Sequence, residues 1–190
     1  TFDRSHGHSL TFDEGYLVPV LVDEVLPGDT FNLRMTAMCR MLSPLIAPLM
    51  SNMYLETFWF FVPNRIVWDN WEKFMGAQDN PADSTSFIIP TVPVPVGGIA
   101  VSTLADYFGL ATGIASLPSS LNVLPFRGSN LIWNTWFRDE NLQNSRPVPT
   151  GNGPDTYTDY VLQRRGKRKD YFTSCLPWTQ KINDGTAVSI

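Results

Sequence analysis

Five cations lie within six residues near the end of this chain, and they form its strongest candidate for a binding site. They are Arg164, Arg165, Lys167, Arg168 and Lys169. Tyr160, Tyr171 and Phe172 flank the run. Positive charge beside rings that stack on bases is how many proteins bind single-stranded nucleic acid. The same pattern also fits a contact with an acidic neighbouring subunit or a solvated turn, and the residues alone do not choose among the three.

Two other groups of residues have types that bind metals. His6 and His8 flank a glycine, but no third ligand is fixed by spacing, so we expect a hydrogen-bonded N-terminal arm there. Asp155 and Asp159 lie in a Gly- and Pro-containing loop that lacks the closing Glu of a calcium-binding EF-hand. We expect Asx-turns from these two aspartates. The sequence therefore predicts no metal site and no cofactor.

The sequence contains no recognisable catalytic motif. The patterns GxSxG and HExxH are absent, as are a glycine-rich phosphate loop and a His–Cys pair. The carboxylate pairs at 23–24 and 139–140 are adjacent in sequence, so their side chains diverge on a strand or helix. We predict that no residue is catalytic and that the chain is not an enzyme.

Composition indicates one domain rich in short strands and irregular loops. The chain has 190 residues, of which 13% are aromatic, 17% are charged and 15 are proline. The formal charge of −4 argues against a dedicated nucleic-acid-binding protein but allows a local basic patch. Cys39 and Cys175 have no CxxC partner and are predicted to be reduced and buried. No segment approaches the roughly 18 apolar residues that span a bilayer.

The positions of polar and apolar residues predict strands in the first third of the chain. The segment 16–24 is rich in β-forming residues, with Pro19 placing it at an edge or bulge. The segment 30–40 alternates between apolar and polar residues. The segment 54–62 is apolar on both faces, so it needs cover from its own domain on one side and from another surface on the other.

Helices and connections are predicted after position 63. Apolar spacing predicts a helix over 64–76 with Asn64 as its cap, another over 102–111 with Thr103 and Asp106 at capping-box spacing, and a third over 129–142 capped by Ser129. The proline-rich segment 88–98 is typical of an extended arm on another surface. Five tryptophans are predicted to anchor the core or an interface: Trp59, Trp68, Trp71, Trp133 and Trp178.

Five segments resemble one known family. They are FDRSHGH (2–8), TFDEGYLVPVLVDEVLPGDTFNLRM (11–35), YLETFWFFVPNRIVWDNWEKF (54–74), FRDENLQNS (137–145) and YVLQRRGKRKDYFTSCLPWTQK (160–181). In this order they are similar to the major capsid protein of the Microviridae, small single-stranded DNA phages, and to its gokushovirus branch. Residues 78–124 carry no such resemblance. The family's protein is longer than 190 residues, and residues 186–190 look like a strand cut short, so we expect a piece of a longer polypeptide.

The resemblance implies a mainly β fold, an eight-stranded antiparallel jelly roll of the viral capsid type with large loop and helix insertions, only partly contained in this chain. The expected divisions are 1–63 (arm and first strands), 64–159 (insertion) and 160–190 (basic segment and return to the roll). The implied function is self-assembly, in the host cytoplasm, into an icosahedral shell around a circular single-stranded DNA genome. The implied partners are copies of the chain, a small basic DNA-binding virion protein and the genome, with no membrane insertion. A carbohydrate-binding jelly-roll module is the alternative that the residues leave open.

Overall fold

The computed structural model describes residues 2–42, 46–114, 120–140, 142–166, 168, 170–172 and 174–175. The chain divides into two compact units. The larger unit contains Thr1–Val22 and Val62–Ile190, and the smaller unit contains Asp23–Phe61. In the described part of the chain, no helix has both the length and the apolar character needed to cross a bilayer.

The three segments predicted as strands do not form strands in the structure. The segments 16–24, 30–40 and 54–62 lie outside every strand of the described residues, apart from one isolated bridge between Tyr16 and Arg164. The two covers expected for 54–62 are also missing, since each of residues 54–61 is exposed. The physical reason is that a strand exists through hydrogen bonds to a neighbouring strand. The described residues supply no such neighbour.

The helix predicted over 64–76 is two single turns. Helix α1 spans Asn64–Val67 and helix α2 spans Trp71–Phe74. Trp68 ends α1 in an extended conformation (φ −152°, ψ 116°), and its side chain is fully buried. Asn64 makes no cap, because Pro63 holds the N-cap position. Burial of one large ring outweighs continuation of a short helix, since each buried aromatic contributes more than a helical turn does.

Helix α3 spans Leu104–Tyr107 and confirms the predicted capping spacing. The backbone N–H of Asp106 donates to Thr103 Oγ1 at 3.4 Å, and Ser102 N–H donates to Asp106 Oδ2 at 2.8 Å. The two side chains therefore satisfy two N–H groups at the start of the helix. The helix is shorter than the predicted 102–111.

Helix α4 spans Leu124–Ile132 and continues into a π-helical turn over Trp133–Phe137. The helix begins five residues before the predicted start, so Ser129 lies inside it and is not its cap. Pro125 lies in the first turn, where its missing N–H costs nothing. The predicted end at 142 is also wrong, because Arg138 adopts an extended conformation after the π turn.

A two-stranded antiparallel sheet contributes to the core of the larger unit. Strand β1 (Thr91–Pro93) pairs with strand β2 (Ser120–Asn122), with Val92 opposite Leu121. The proline-rich segment 88–98 is therefore not an arm on another surface, because Val92 and Pro90 are fully buried. Prolines are tolerated here because the ladder is only three residues long and the sheet has only two strands.

Two apolar clusters pack against these elements. One surrounds Val92, Val123, Phe126 and Tyr160, and the other surrounds Val67, Trp68 and Leu124. Helix α4 contributes to both clusters, since Phe126 belongs to one and Leu124 to the other. A turn of 3₁₀ helix over Tyr157–Asp159 leads into Tyr160. This frame positions the basic segment that follows.

Candidate functional site

Within the larger unit, the basic segment forms backbone hydrogen bonds with residues 15–17. Leu17 N–H donates to Gln163 O at 2.9 Å, and Arg165 N–H donates to Gly15 O at 3.2 Å. Gly15 has a φ of 78°, a backbone conformation that residues other than glycine rarely adopt. These bonds flank the isolated bridge between Tyr16 and Arg164 and fix the direction of the chain as it enters the basic run.

The side chain of Arg164 lies on an aromatic ring. Its guanidinium carbon is 4.5 Å from the centre of the Tyr16 ring, and one guanidinium nitrogen lies 3.3 Å from Tyr16 Oη. The carbonyl of Arg164 accepts a hydrogen bond from the buried Trp133 indole N–H at 2.8 Å. The Trp133 bond holds the backbone at Arg164, while stacking on Tyr16 and the contact with its hydroxyl limit the side-chain rotamers. Less side-chain entropy is therefore lost when Arg164 binds a partner.

Gly166 brings the basic segment against the end of the π turn. Its N–H donates to Phe137 O at 2.7 Å. A Cβ on Gly166 would lie 2.9 Å from that same oxygen and 3.1 Å from Asp139 N, so a larger residue would force the two segments apart. The Arg165 guanidinium lies 5.7 Å from the centre of the Phe137 ring. The sequence showed a glycine within the basic run, but not the close approach that requires it.

We call this surface the basic corner: Arg164, Arg165 and Arg168, together with the ring of Trp136. Trp136 is 68% exposed at the π turn, one residue before the carbonyl that Gly166 contacts. Arg164 and Arg168 are exposed, and Arg165 is partly exposed. Lys167 and Lys169, which the sequence placed in the same site, lie outside the described residues. Trp136 was not predicted as a site residue, because the apolar spacing of the helix predicted over 129–142 placed it toward a core; its 68% exposure shows that this prediction is wrong.

The three rings that flank the basic run have different positions. Tyr171 and Phe172 are each 88% exposed and pack edge to face, with their centres 5.4 Å apart. Tyr160 is buried in the core, so the prediction that it stands beside the cations is wrong. It packs 5.5 Å from the ring of Phe126.

A buried ion pair joins elements of the larger unit, and sequence reasoning missed it. Arg127 on α4 is fully buried and binds Asp155 with both prongs of its guanidinium, at 2.7 Å from Nε and 2.6 Å from Nη2. Its Nη1 donates to Val67 O and Gly151 O, each at 2.9 Å. Asp155 is therefore not in an Asx-turn. One side chain ties together α1, α4 and the 151–155 loop.

Tyr160 completes this network. Its hydroxyl donates to Asp155 Oδ2. Burial and the neighbouring Asp155 carboxylate together raise the pKa of the Tyr160 phenol far above its ordinary value. The hydrogen bonds and charge of Asp155 overcome the effect of burial and raise the pKa of Arg127. The guanidinium thus stays charged, and the phenol stays protonated.

The raised pKa of Tyr160 has a consequence at alkaline pH. Below its ordinary value of 10.0 the group is protonated in both folded and unfolded chains, and its stabilising contribution is complete. As pH rises above 10 the unfolded chain loses this proton and the folded chain retains it, so the free energy of unfolding falls. We expect Tyr160→Phe to flatten this alkaline decline, as measured by urea unfolding between pH 8 and about 11. Tyr171→Phe, at an exposed tyrosine, is the control and should leave the slope unchanged.

The predicted tryptophan anchors differ in burial. Trp68 and Trp133 are buried, and Trp71 is partly buried in the cluster with Trp68 and Phe74. Trp59 is 46% exposed in the smaller unit, and Trp178 lies outside the described residues. The cysteines are also placed differently from the prediction, since Cys39 and Cys175 are both exposed free thiols.

Among the residues that the structure describes, the N-terminal histidines join no cluster of metal-binding side chains. His6 Nδ1 lies 2.9 Å from Arg4 O, and Ser5 hydrogen-bonds the Asp3 carboxylate. Across the described ranges, no group of three or more His, Cys, Asp or Glu side chains could hold a metal ion. The site residues that the structure brings together are cations and aromatic rings, which are groups suited to binding a charged partner.

Comparison with known proteins gives one consistent match. Residues 1–190 match the family model described as capsid protein (F protein). The chain is 51% identical over 180 residues to capsid protein VP1 of Bdellovibrio phage phiMH2K and 49% identical over 202 residues to capsid protein VP1 of Chlamydia phage 1. It is 35% identical to capsid protein VP1 of Spiroplasma virus 4. These matches cover 90–95% of this chain, which spans about a third of each relative.

Proposed function

Because this chain belongs to the phage capsid protein (F protein) family, we propose that it is part of a major capsid protein that assembles with copies of itself into an icosahedral shell around a circular single-stranded DNA genome. The observation that carries the proposal is the match over all 190 residues, together with about 50% identity to two VP1 capsid proteins. The same matches confirm the Microviridae resemblance drawn from the sequence. The protein's location is then the virion.

The eight-stranded jelly roll belongs to this proposal. The segments 16–24, 30–40 and 54–62 are its first strands, and their partners lie in the part of the protein that corresponds to the remaining two thirds of the relatives. Exposed large apolar residues in the smaller unit support this reading. They include Phe31, Leu33, Met35, Leu55, Phe58, Trp59, Phe60 and Phe61. Side chains of this size are normally covered in the finished protein.

We further propose that residues 64–159 form an insertion between jelly-roll strands, with 1–63 before it and 160–190 returning to the roll. Every helix and ladder strand of the described residues lies between positions 64 and 159, and most of the buried residues do too. An insertion with its own small core can present loops to a neighbouring subunit or to the outside without disturbing the roll. A small basic virion protein is proposed to neutralise part of the genome charge, since the chain itself carries −4.

The proposal is tested by expressing the full-length protein and examining it by negative-stain electron microscopy. Closed particles of uniform diameter are the expected result, because a capsid protein buries its interfaces by closed, repeated association. A species that sediments as a monomer or small oligomer at every concentration, with no particles, would contradict the shell and favour a carbohydrate-binding module.

Replacing Arg164, Arg165 and Arg168 together by alanine is expected to lower the yield of particles or the amount of genome in them. The three arginines lie on one segment, and their loss removes three of its five cations. A matched control removes three exposed cations elsewhere, with Arg34, Arg65 and Lys73 changed to alanine. Particle yield is measured by sedimentation and genome content by the ratio of absorbance at 260 and 280 nm. An unchanged yield of full particles from the first variant would refute a role for these arginines.

A further inference from the structure

We propose that the basic corner is a binding site for single-stranded nucleic acid, in which Arg164 and Arg165 bind phosphates and Trp136 stacks on a base. The inference rests on the proposed function and goes beyond it by naming the partner of this surface and the ring that contacts it. An acidic surface of a neighbouring subunit is the competing partner, and it becomes an outcome of the test.

Charge density is the first support for a nucleic-acid partner. Residues 164–170 carry five cations and the single anion Asp170, in a chain whose formal charge is −4. Two of the cations are lysines, which protein–protein interfaces generally lack, whereas phosphate-binding surfaces use both Lys and Arg. In these 190 residues no stretch has more than two adjacent carboxylates, so this part of a second copy offers no acidic run of matching density.

The geometry of Arg164 is the second support. The Tyr16 ring covers one face of the guanidinium, and its hydroxyl takes one hydrogen bond. A guanidinium has five N–H donors arranged in a planar fork, and this fork matches two phosphate oxygens. A stacked, exposed arginine therefore presents its edge to solvent in a restricted orientation, as a phosphate site requires.

The position of Trp136 is the third support. The ring is 68% exposed although tryptophan is normally well buried, and it is held by the π turn rather than by a mobile loop. The neighbouring Phe137 carbonyl is bonded to Gly166, the residue after Arg165, so the ring and the arginines are carried on two segments in direct contact. Single-strand sites combine cations that follow the backbone with rings on which bases stack, and these two segments supply both groups.

Acidic groups also lie at this surface and limit its affinity for nucleic acid. Asp139 and Glu140 follow Arg138 at the end of the π turn, and the Asp170 carboxylate accepts a hydrogen bond from the Phe172 N–H at 3.0 Å. Their charge reduces the net potential, so binding should be moderate and strongly dependent on salt. A site of this kind holds any sequence, because every base has a face to stack.

The test measures binding of a fluorescein-labelled oligothymidine of about 16 nucleotides to the unassembled full-length protein across a range of salt concentrations. The slope of log K against log salt is negative, and each lost phosphate contact should make it shallower by about 0.7. Arg164→Ala combined with Arg165→Ala should therefore make the slope shallower by about 1.4. Trp136→Ala should weaken binding about fivefold or more at every salt concentration with the slope unchanged. Trp136→Phe, which keeps a ring, should restore most of the affinity.

The controls separate the site from the proposed shell. Arg65→Ala with Lys73→Ala removes two exposed cations on α1 and α2 and should leave the slope unaltered. Unchanged affinity in both Arg164/Arg165 and Trp136 variants overturns the nucleic-acid site. If the Arg164/Arg165 and Trp136 variants bind the oligonucleotide normally but do not form particles, the basic corner is a subunit contact. Wild-type protein that binds the oligonucleotide but never forms particles refutes the shell and leaves the site standing.

Discussion

Replacing Arg127 by alanine is expected to lower the free energy of unfolding of the larger unit by about 3–5 kcal/mol. The substitution leaves the Asp155 carboxylate buried without its charge partner and removes the donors of Val67 O and Gly151 O. A buried carboxylate without an opposite charge is costly because it has lost its hydration and no cation compensates for that loss. The effect should appear as a lower midpoint in urea unfolding followed by circular dichroism.

A paired replacement distinguishes the charge from the packing. Arg127→Met combined with Asp155→Leu removes both charges and keeps apolar volume, so its loss should be smaller than that of Arg127→Ala alone. Arg65→Ala, at an exposed arginine on α1, should change stability by less than about 0.5 kcal/mol. If Arg127→Ala and Arg65→Ala have equal midpoints, the ion pair does not hold the larger unit together.

Replacing Trp68 by alanine is expected to have a similar cost, about 3–5 kcal/mol. The ring is fully buried, lies 5.4 Å from Phe74 and 6.3 Å from Trp71, and donates through its indole N–H to Asn152 Oδ1 at 2.9 Å. Its removal leaves a cavity that short elements such as α1 and α2 are poorly placed to fill. Thermal unfolding of the purified protein measures the loss.

Two variants define what Trp68 contributes. Trp68→Phe keeps most of the packing and loses the indole hydrogen bond, so it should cost clearly less than alanine. Trp136→Ala removes an exposed tryptophan and should change stability by less than about 0.5 kcal/mol while it weakens nucleic-acid binding. Equal destabilisation by the alanine variants at 68 and 136 would show that burial of Trp68 is not what stabilises the unit.

Local patterns predicted local features well. The spacing of Thr103 and Asp106 identified a helix start correctly because a capping box involves only residues within one turn. Helix lengths were less accurate, since the ends of α1 and α4 depend on where Trp68 is buried and on the π turn at Trp133–Phe137. The strands predicted over 16–24, 30–40 and 54–62 are not formed, because a strand depends on a neighbouring strand that the described residues do not supply.

The candidate site was predictable in its charges and not in its geometry. The run from Arg164 to Lys169 stands out in the sequence because the cations are adjacent. Its support does not, because Tyr16 lies far from Arg164 in sequence and meets it through a single bridge. The exposure of Trp136 could not be predicted either, because it depends on which face of the π turn over Trp133–Phe137 the core covers.

The sequence by itself determined the family, the basic run and the absence of familiar catalytic patterns, since these depend on residue identity and order. The tertiary structure alone decided that Asp155 pairs with Arg127, that the proline-rich segment enters the core as β1, and that Tyr160 is buried while Trp136 is not. These are outcomes of contacts between residues distant in sequence, and a buried charge or ring is settled only by the groups that surround it.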